Sequence, residues 1–176
     1  KIFVSSFIFL SAYFFLTPLS HADAPISDTV CGVYLTGIGC SNCAVIDSVL
    51  FQKIVADHPH LIVLEYEIYK TGKENDQVKN DYFQSFFPGQ PVGVPAFIFT
   101  NEKKAIGRIK AAQLLEGLGS ISANPCPMPD GTSVNFQDLD LTNLKGKINI
   151  WTKNRILSTD NGGGDNRVFK QLLLEP

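Results

Sequence analysis

The sequence predicts an α/β fold: a mixed four-stranded sheet flanked by helices, followed by a small β-containing C-terminal extension. Three observations carry that prediction. Apolar runs of strand length alternate with stretches of helical periodicity in the order strand, helix, strand, helix, strand, strand, helix. Two cysteines, in Cys40-Ser41-Asn42-Cys43, stand where the first strand gives way to the first helix. A Val94-Pro95 bond opens the third strand. Strands joined through a helix run parallel with a right-handed crossover, and strands joined by a tight turn form a hairpin, so this order gives a mixed sheet with helices on both faces.

Each element has its own signal. Val30 to Thr36 is a short β-type run, and Gly37-Ile38-Gly39 breaks it with a sharp turn. From Ser41, the residues Ala44, Val45, Ile46, Val49, Leu50, Ile54 and Val55 recur at helical spacing until Pro59 stops the helix. Leu61 to Tyr69 is the second strand, a buried run that then alternates. Lys73 to Phe87 begins polar and ends with Tyr82, Phe83, Phe86 and Phe87, which fits a surface helix with one apolar face, stopped by Pro88-Gly89-Gln90-Pro91. Ala96 to Thr100 and Ala105 to Ile109 flank the polar turn Asn101 to Lys104 as a hairpin. Ala111 to Leu118 is a closing helix, ended by Gly119, Asn124 and Pro125.

Residues 125–131 read as a linker between this domain, residues 25–124, and the extension, residues 132–176. Val134-Asn135-Phe136 and Ile148 to Trp151 are candidate strands there. Asn161-Gly162-Gly163-Gly164-Asp165 is a loop, and Val168 to Leu174 is a helix that reads as unfinished at Pro176. That glycine run lacks the Lys-Ser/Thr a phosphate loop requires.

Residues 1–22 stand outside the fold. Lys1 precedes an apolar run from Ile2 to Leu16, Pro18 breaks it, and Ser20-His21-Ala22 offers small residues where a signal peptidase cuts. This is the pattern of a secretory signal peptide, cleaved after Ala22. The run falls short of the roughly 17–25 residues of a spanning helix. An extracytoplasmic location, periplasmic or secreted, is therefore expected, with no membrane span after cleavage. A net charge of −2 without a Lys/Arg cluster argues against nucleic acid as partner. An aromatic content of 11% with only 18% charged residues describes a core-forming chain.

The two cysteines sit at a helix start, where unpaired N–H groups and partial positive charge favour a thiolate over a thiol. Gly39-Cys40-Ser41-Asn42-Cys43 on a strand-to-helix turn, with Val94-Pro95 before a hairpin, resembles the thioredoxin superfamily over about residues 28–122. The glycine lead-in and the signal peptide look most like its extracytoplasmic members in prokaryotes. The resemblance implies a thioredoxin-like fold and a thiol–disulfide oxidoreductase working through a mixed disulfide. Cys40 would be the exposed nucleophile and Cys43 the buried resolving thiol. Pro95 would be the cis-proline facing them, and Val94 would offer backbone hydrogen bonds to an extended substrate beside Gly39. Its partners would be cysteine-containing exported proteins or apocytochromes and a membrane electron donor or acceptor. No cofactor is implied.

The chain departs from the family pattern at two points. Gly39 stands where thioredoxins usually carry Trp, and Ser41-Asn42 fills the middle of the motif, which leaves the direction of electron flow open. Tyr34 occupies the position of the buried Asp, six residues before Cys40. The proton acceptor for Cys43 then falls to Glu65 or Glu67 on the neighbouring strand, unless both belong to an exposed strand face. Two other functions compete with the enzyme: a redox-inactive binding module on the same fold, and a Cu- or Zn-binding thiol protein. Closed zinc sites need four ligands. At about 3.3 Å of rise per residue, Cys31 lies some 20 Å from Cys40, and His58 and His60 fall in the loop after the helix.

In this fold Cys31 and Cys126 arrive at one edge, opposite the Cys40 end. A structural disulfide between them is expected; the alternatives are two free thiols or a partner beyond Pro176. Phe83, Phe86 and Phe87 read as core packing of the second helix, with a substrate-binding surface as the alternative.

Overall fold

A computed structural model describes residues 29–69, 73–159 and Leu173. The predicted signal peptide, the predicted Asn161–Asp165 loop and, apart from Leu173, the predicted Val168–Leu174 helix lie outside the described residues.

β1 (Val30–Gly37) is a central strand. It pairs in parallel with β2 (Leu61–Ile68), placing Tyr34 opposite Glu65 and Thr36 opposite Glu67. On its other side it pairs antiparallel with β3 (Ala96–Ile98), which forms a hairpin with β4 (Lys104–Ile106). Both β1 and β2 are buried almost throughout, because helices cover both faces of the sheet. The connection between them begins as α1 (Ser41–Val49), widens into a π-helical turn over Leu50–Ile54 and ends as α2 (Val55–Asp57). α3 (Lys73–Phe86) lies on the opposite face, and α4 (Arg108–Glu116) follows β4.

The sheet has six strands, not the four predicted. β7 (Ile148–Trp151) pairs antiparallel with the free edge of β2, and β8 (Ile156–Thr159) pairs with β7, so the order is β4-β3-β1-β2-β7-β8. The physical reason is the edge itself. β2 would otherwise present a row of unpaired N–H and C=O groups beside a buried apolar face. The extension covers that edge and adds Ile148 and Ile150 to the core.

Other boundaries shift for local reasons. Gly107, at φ 85°, ends β4 and starts α4, so the predicted strand from Ala105 to Ile109 is cut short. Cys126–Pro127 (β5) pairs with Ser133–Val134 (β6) as a small second sheet, which puts strand structure in the stretch read as a linker and stops the predicted Val134-Asn135-Phe136 strand at Val134.

Two apolar layers result. One lies between the sheet and α3 and holds Val33, Leu35, Leu64, Tyr82, Phe83, Phe86 and Phe87. The aromatic residues of α3 are therefore core. The other lies beneath α1 and α4 and holds Ile46, Leu50, Val63, Phe97, Phe99 and Leu115. Each such side chain, fully buried, contributes about 1.5–3 kcal/mol. Cys31 and Cys126, both fully buried, are joined by a disulfide that ties β1 to β5. Among the described residues no helix is long and apolar enough to cross a membrane.

Candidate functional site

The Cys40–Cys43 pair stands at the carboxyl end of β1, where the chain turns into α1. Gly39 makes the turn at φ 83°, a left-handed conformation that glycine adopts without strain. Cys40 is the N-cap of α1, in extended conformation at φ −82° and ψ 109°. Its sulfur accepts the N–H of Cys43 at 3.1 Å, the bond that a Ser or Asp oxygen makes at other helix starts. The first turn of α1 holds no acidic residue. The positive end of the helix is therefore left to the sulfur, which favours a thiolate when the pair is reduced.

The two sulfurs are joined as a disulfide, yet their surroundings differ. Cys43 is fully buried, whereas Cys40 is half-buried and reachable from solvent. The Val94–Pro95 peptide bond is cis, and the Val94 carbonyl oxygen lies 3.9 Å from the Cys40 sulfur. Pro95 is buried, Val94 half-buried and Gly39 exposed. The structure thus brings Cys40, Cys43, Val94, Pro95 and Gly39 together from two separated parts of the chain.

Beneath α1 lies a cluster of carboxyl groups. Glu65 is 4% exposed, so it does not belong to an open strand face. Its Oε2 accepts the Trp151 indole N–H at 2.7 Å and the Asn149 amide N–H at 3.0 Å. Burial pushes the Glu65 carboxyl up to about 7 against the pull of those two bonds, and the neighbouring charges of Glu67 and Asp47 push it the same way. Glu67 is half-buried and, with Thr36, Ile38, Cys40 and Asp47, lines a cavity of about 330 Å³.

Asp47 is the residue the sequence reading overlooked. It sits four positions after Cys43, on the same side of α1. Its Oδ1 accepts the Tyr34 hydroxyl at 2.5 Å. Burial raises its carboxyl above the usual range, and bonds from Tyr34 and Thr36 partly offset the rise. Burial and the bond to Asp47 also keep the Tyr34 phenol protonated. The spacing from Cys43 was the one signal available for Asp47. Asn149 and Trp151 carried none, being 84 and 86 positions from Glu65.

Cys31 and Cys126 are committed to each other, away from this pair. Among the described residues no group of three or more His, Cys, Asp or Glu side chains is arranged to hold a metal ion. The arrangement joins one accessible sulfur to one enclosed sulfur, with carboxyl groups of raised proton affinity below. That suits exchange of a disulfide with an outside thiol. Comparison with models of known protein families, with curated proteins and with solved structures finds no match.

Proposed function

We propose that this chain is an exported thiol–disulfide oxidoreductase of the thioredoxin superfamily, acting on cysteine-containing proteins outside the cytoplasm. The observation that carries the reading is the inequality of the two sulfurs. Cys40 is reachable, caps α1 and faces the carbonyl before cis-Pro95, while Cys43 is enclosed behind it.

In the reducing direction, the Cys40 thiolate attacks one sulfur of a substrate disulfide. A mixed disulfide forms and one substrate sulfur leaves as a thiolate that takes a proton. Cys43 then gives its proton to a carboxylate beneath α1 and attacks the Cys40 sulfur. The second substrate thiol is released and the Cys40–Cys43 bond re-forms. The pair has lost two electrons and the substrate has gained them. Run in reverse, the same steps make a disulfide in a dithiol substrate. Val94 and Gly39 flank the attacking sulfur, where an extended substrate chain would lie.

Thiol trapping of the full chain across glutathione buffers tests the reading. A potential of roughly −120 to −180 mV indicates an oxidant or isomerase, and roughly −270 mV a reductant. A pair that will not exchange with glutathione rejects the enzyme and favours a binding module on the same scaffold. Cys40→Ser is expected to abolish insulin reduction.

A further inference from the structure

β7 and β8 carry no cysteine, yet they supply the side-chain partners of the buried carboxylate beneath α1. Asn149 and Trp151 both lie on the face of β7 that meets Glu65, and both donate to the same carboxylate oxygen. Each donor is held in turn. Ser158, the cross-strand partner of Asn149 on β8, donates to the Asn149 Oδ1 at 2.6 Å and turns its amide N–H toward Glu65. The Trp151 ring stacks on Phe51, with centroids 3.8 Å apart and planes 22° from parallel. Phe51 lies in the π-helical turn that widens the helix after α1.

Glu65 also faces the cysteine side of the sheet. It is in register with Tyr34, whose hydroxyl holds Asp47 one turn beyond Cys43. Glu67, on the same face of β2, lines the cavity at Cys40. The titratable groups acting on Glu65 are Asp47 from α1 and Glu67 from its own strand, with Tyr34 facing it from β1. β7 presents only the neutral Asn149 and Trp151 to it.

We propose that Asn149 and Trp151 are positioning residues of the redox centre, holding Glu65 beneath α1 so that reduction of Cys40–Cys43 is coupled to protonation of Glu65. The inference rests on the redox reading above. A dithiol donor supplies two electrons and is itself oxidised to a disulfide. The Cys40–Cys43 bond breaks, Cys43 takes one proton as a thiol, and Cys40 remains a thiolate at the helix end. The second proton goes to Glu65, whose affinity rises with the new negative charge above it. Re-oxidation returns both protons as the sulfurs rejoin.

Trp151 is the only tryptophan in the chain. Its indole bonds the carboxylate, so its emission reads the Glu65 titration directly. The full chain is titrated from about pH 5 to 9, oxidised and after reduction by a phosphine, and the midpoint of the emission change is recorded. The oxidised protein is expected to show a midpoint near 7. Glu65→Gln abolishes that transition. Reduction moves it upward by about threefold or more in proton affinity. Ser158→Ala, an exposed change that frees Asn149 without touching the core, moves the midpoint up in both states, because a bond to the charged form is weakened. Coincident midpoints in the two states, with thiol counts showing the pair reduced, overturn the proposal and leave the redox reading standing. A midpoint unmoved by Ser158→Ala removes the hairpin from the centre. A pair that will not exchange with glutathione removes both readings.

Discussion

Asn75 holds both backbone groups of Lys147. Its Oδ1 accepts the Lys147 N–H at 2.7 Å, and its Nδ2 donates to the Lys147 carbonyl at 2.9 Å. The same Nδ2 donates to the Glu67 carbonyl at 2.7 Å. One fully buried amide on α3 thus completes the backbone pairing where β7 meets β2. It acts as a short piece of strand and anchors the extension that brings Asn149 and Trp151 to Glu65.

Replacing Asn75 by Ala removes a fully buried amide and leaves those three backbone groups without this partner. Denaturant unfolding is expected to show a loss of about 2–4 kcal/mol. Gly146→Ala is expected to act on the same joint. Gly146 has φ 86°, and a Cβ there would stand 2.5 Å from the Asn75 Oδ1. An unchanged unfolding midpoint in both variants would show that the hairpin docks without the amide.

The Cys31–Cys126 disulfide spans 95 positions. Closing a loop of that length restricts the unfolded chain by about 4–5 kcal/mol in a chain-entropy treatment. The Cys31→Ala/Cys126→Ala double variant should lose stability on that scale. It should still exchange the Cys40–Cys43 pair with glutathione, because the two bridges lie at opposite ends of β1. Loss of exchange in a variant that remains folded would contradict this separation.

Reduced protein treated with a limiting amount of iodoacetamide should be modified at Cys40 first. The expected preference over Cys43 is about tenfold or more, since the thiolate is the reactive form and only Cys40 is both reachable and at the helix end. Peptide mapping by mass spectrometry reads the ratio. Equal labelling would remove the distinction between nucleophile and resolving thiol.

Glu65 also predicts how stability changes with pH. Its carboxyl is raised from 4.5 to about 7 in the folded chain, so the folded state binds the extra proton between those values. Stability from this group is present below about pH 4.5 and is lost as pH rises through 7. Asp47, also raised, contributes in the same sense. The unfolding free energy should fall by about 2–3 kcal/mol from pH 5 to pH 8 on account of Glu65. Glu65→Gln should flatten that fall, and a fall of equal size in the variant would assign it elsewhere.

Much of the site was legible because its signals are local. Cys40 and Cys43 stand three positions apart, and the glycines before them and the helical period after them require a strand-to-helix turn there. Pro95 marks its own position by opening an apolar run. The first four strands and the order of the helices followed from periodicity. The π-helical turn at Leu50–Ile54 left no such mark. Glu65 and Glu67 alternate with apolar neighbours, and a period of two does not say whether the charged face meets water or another layer. Asp47 reads as an ordinary polar residue of an amphipathic helix.

The sequence by itself determined the first four strands, the order of the helices and where two cysteines meet a helix start, because hydrophobic period, glycine turns and proline act over a few residues. Tertiary structure decided what covers the edge of β2 and what surrounds Glu65. Those outcomes depend on closing a loop of more than eighty residues to bring Asn149 and Trp151 beside it. No local preference records such a closure. It is selected by the cost of leaving backbone groups and a carboxylate buried without partners.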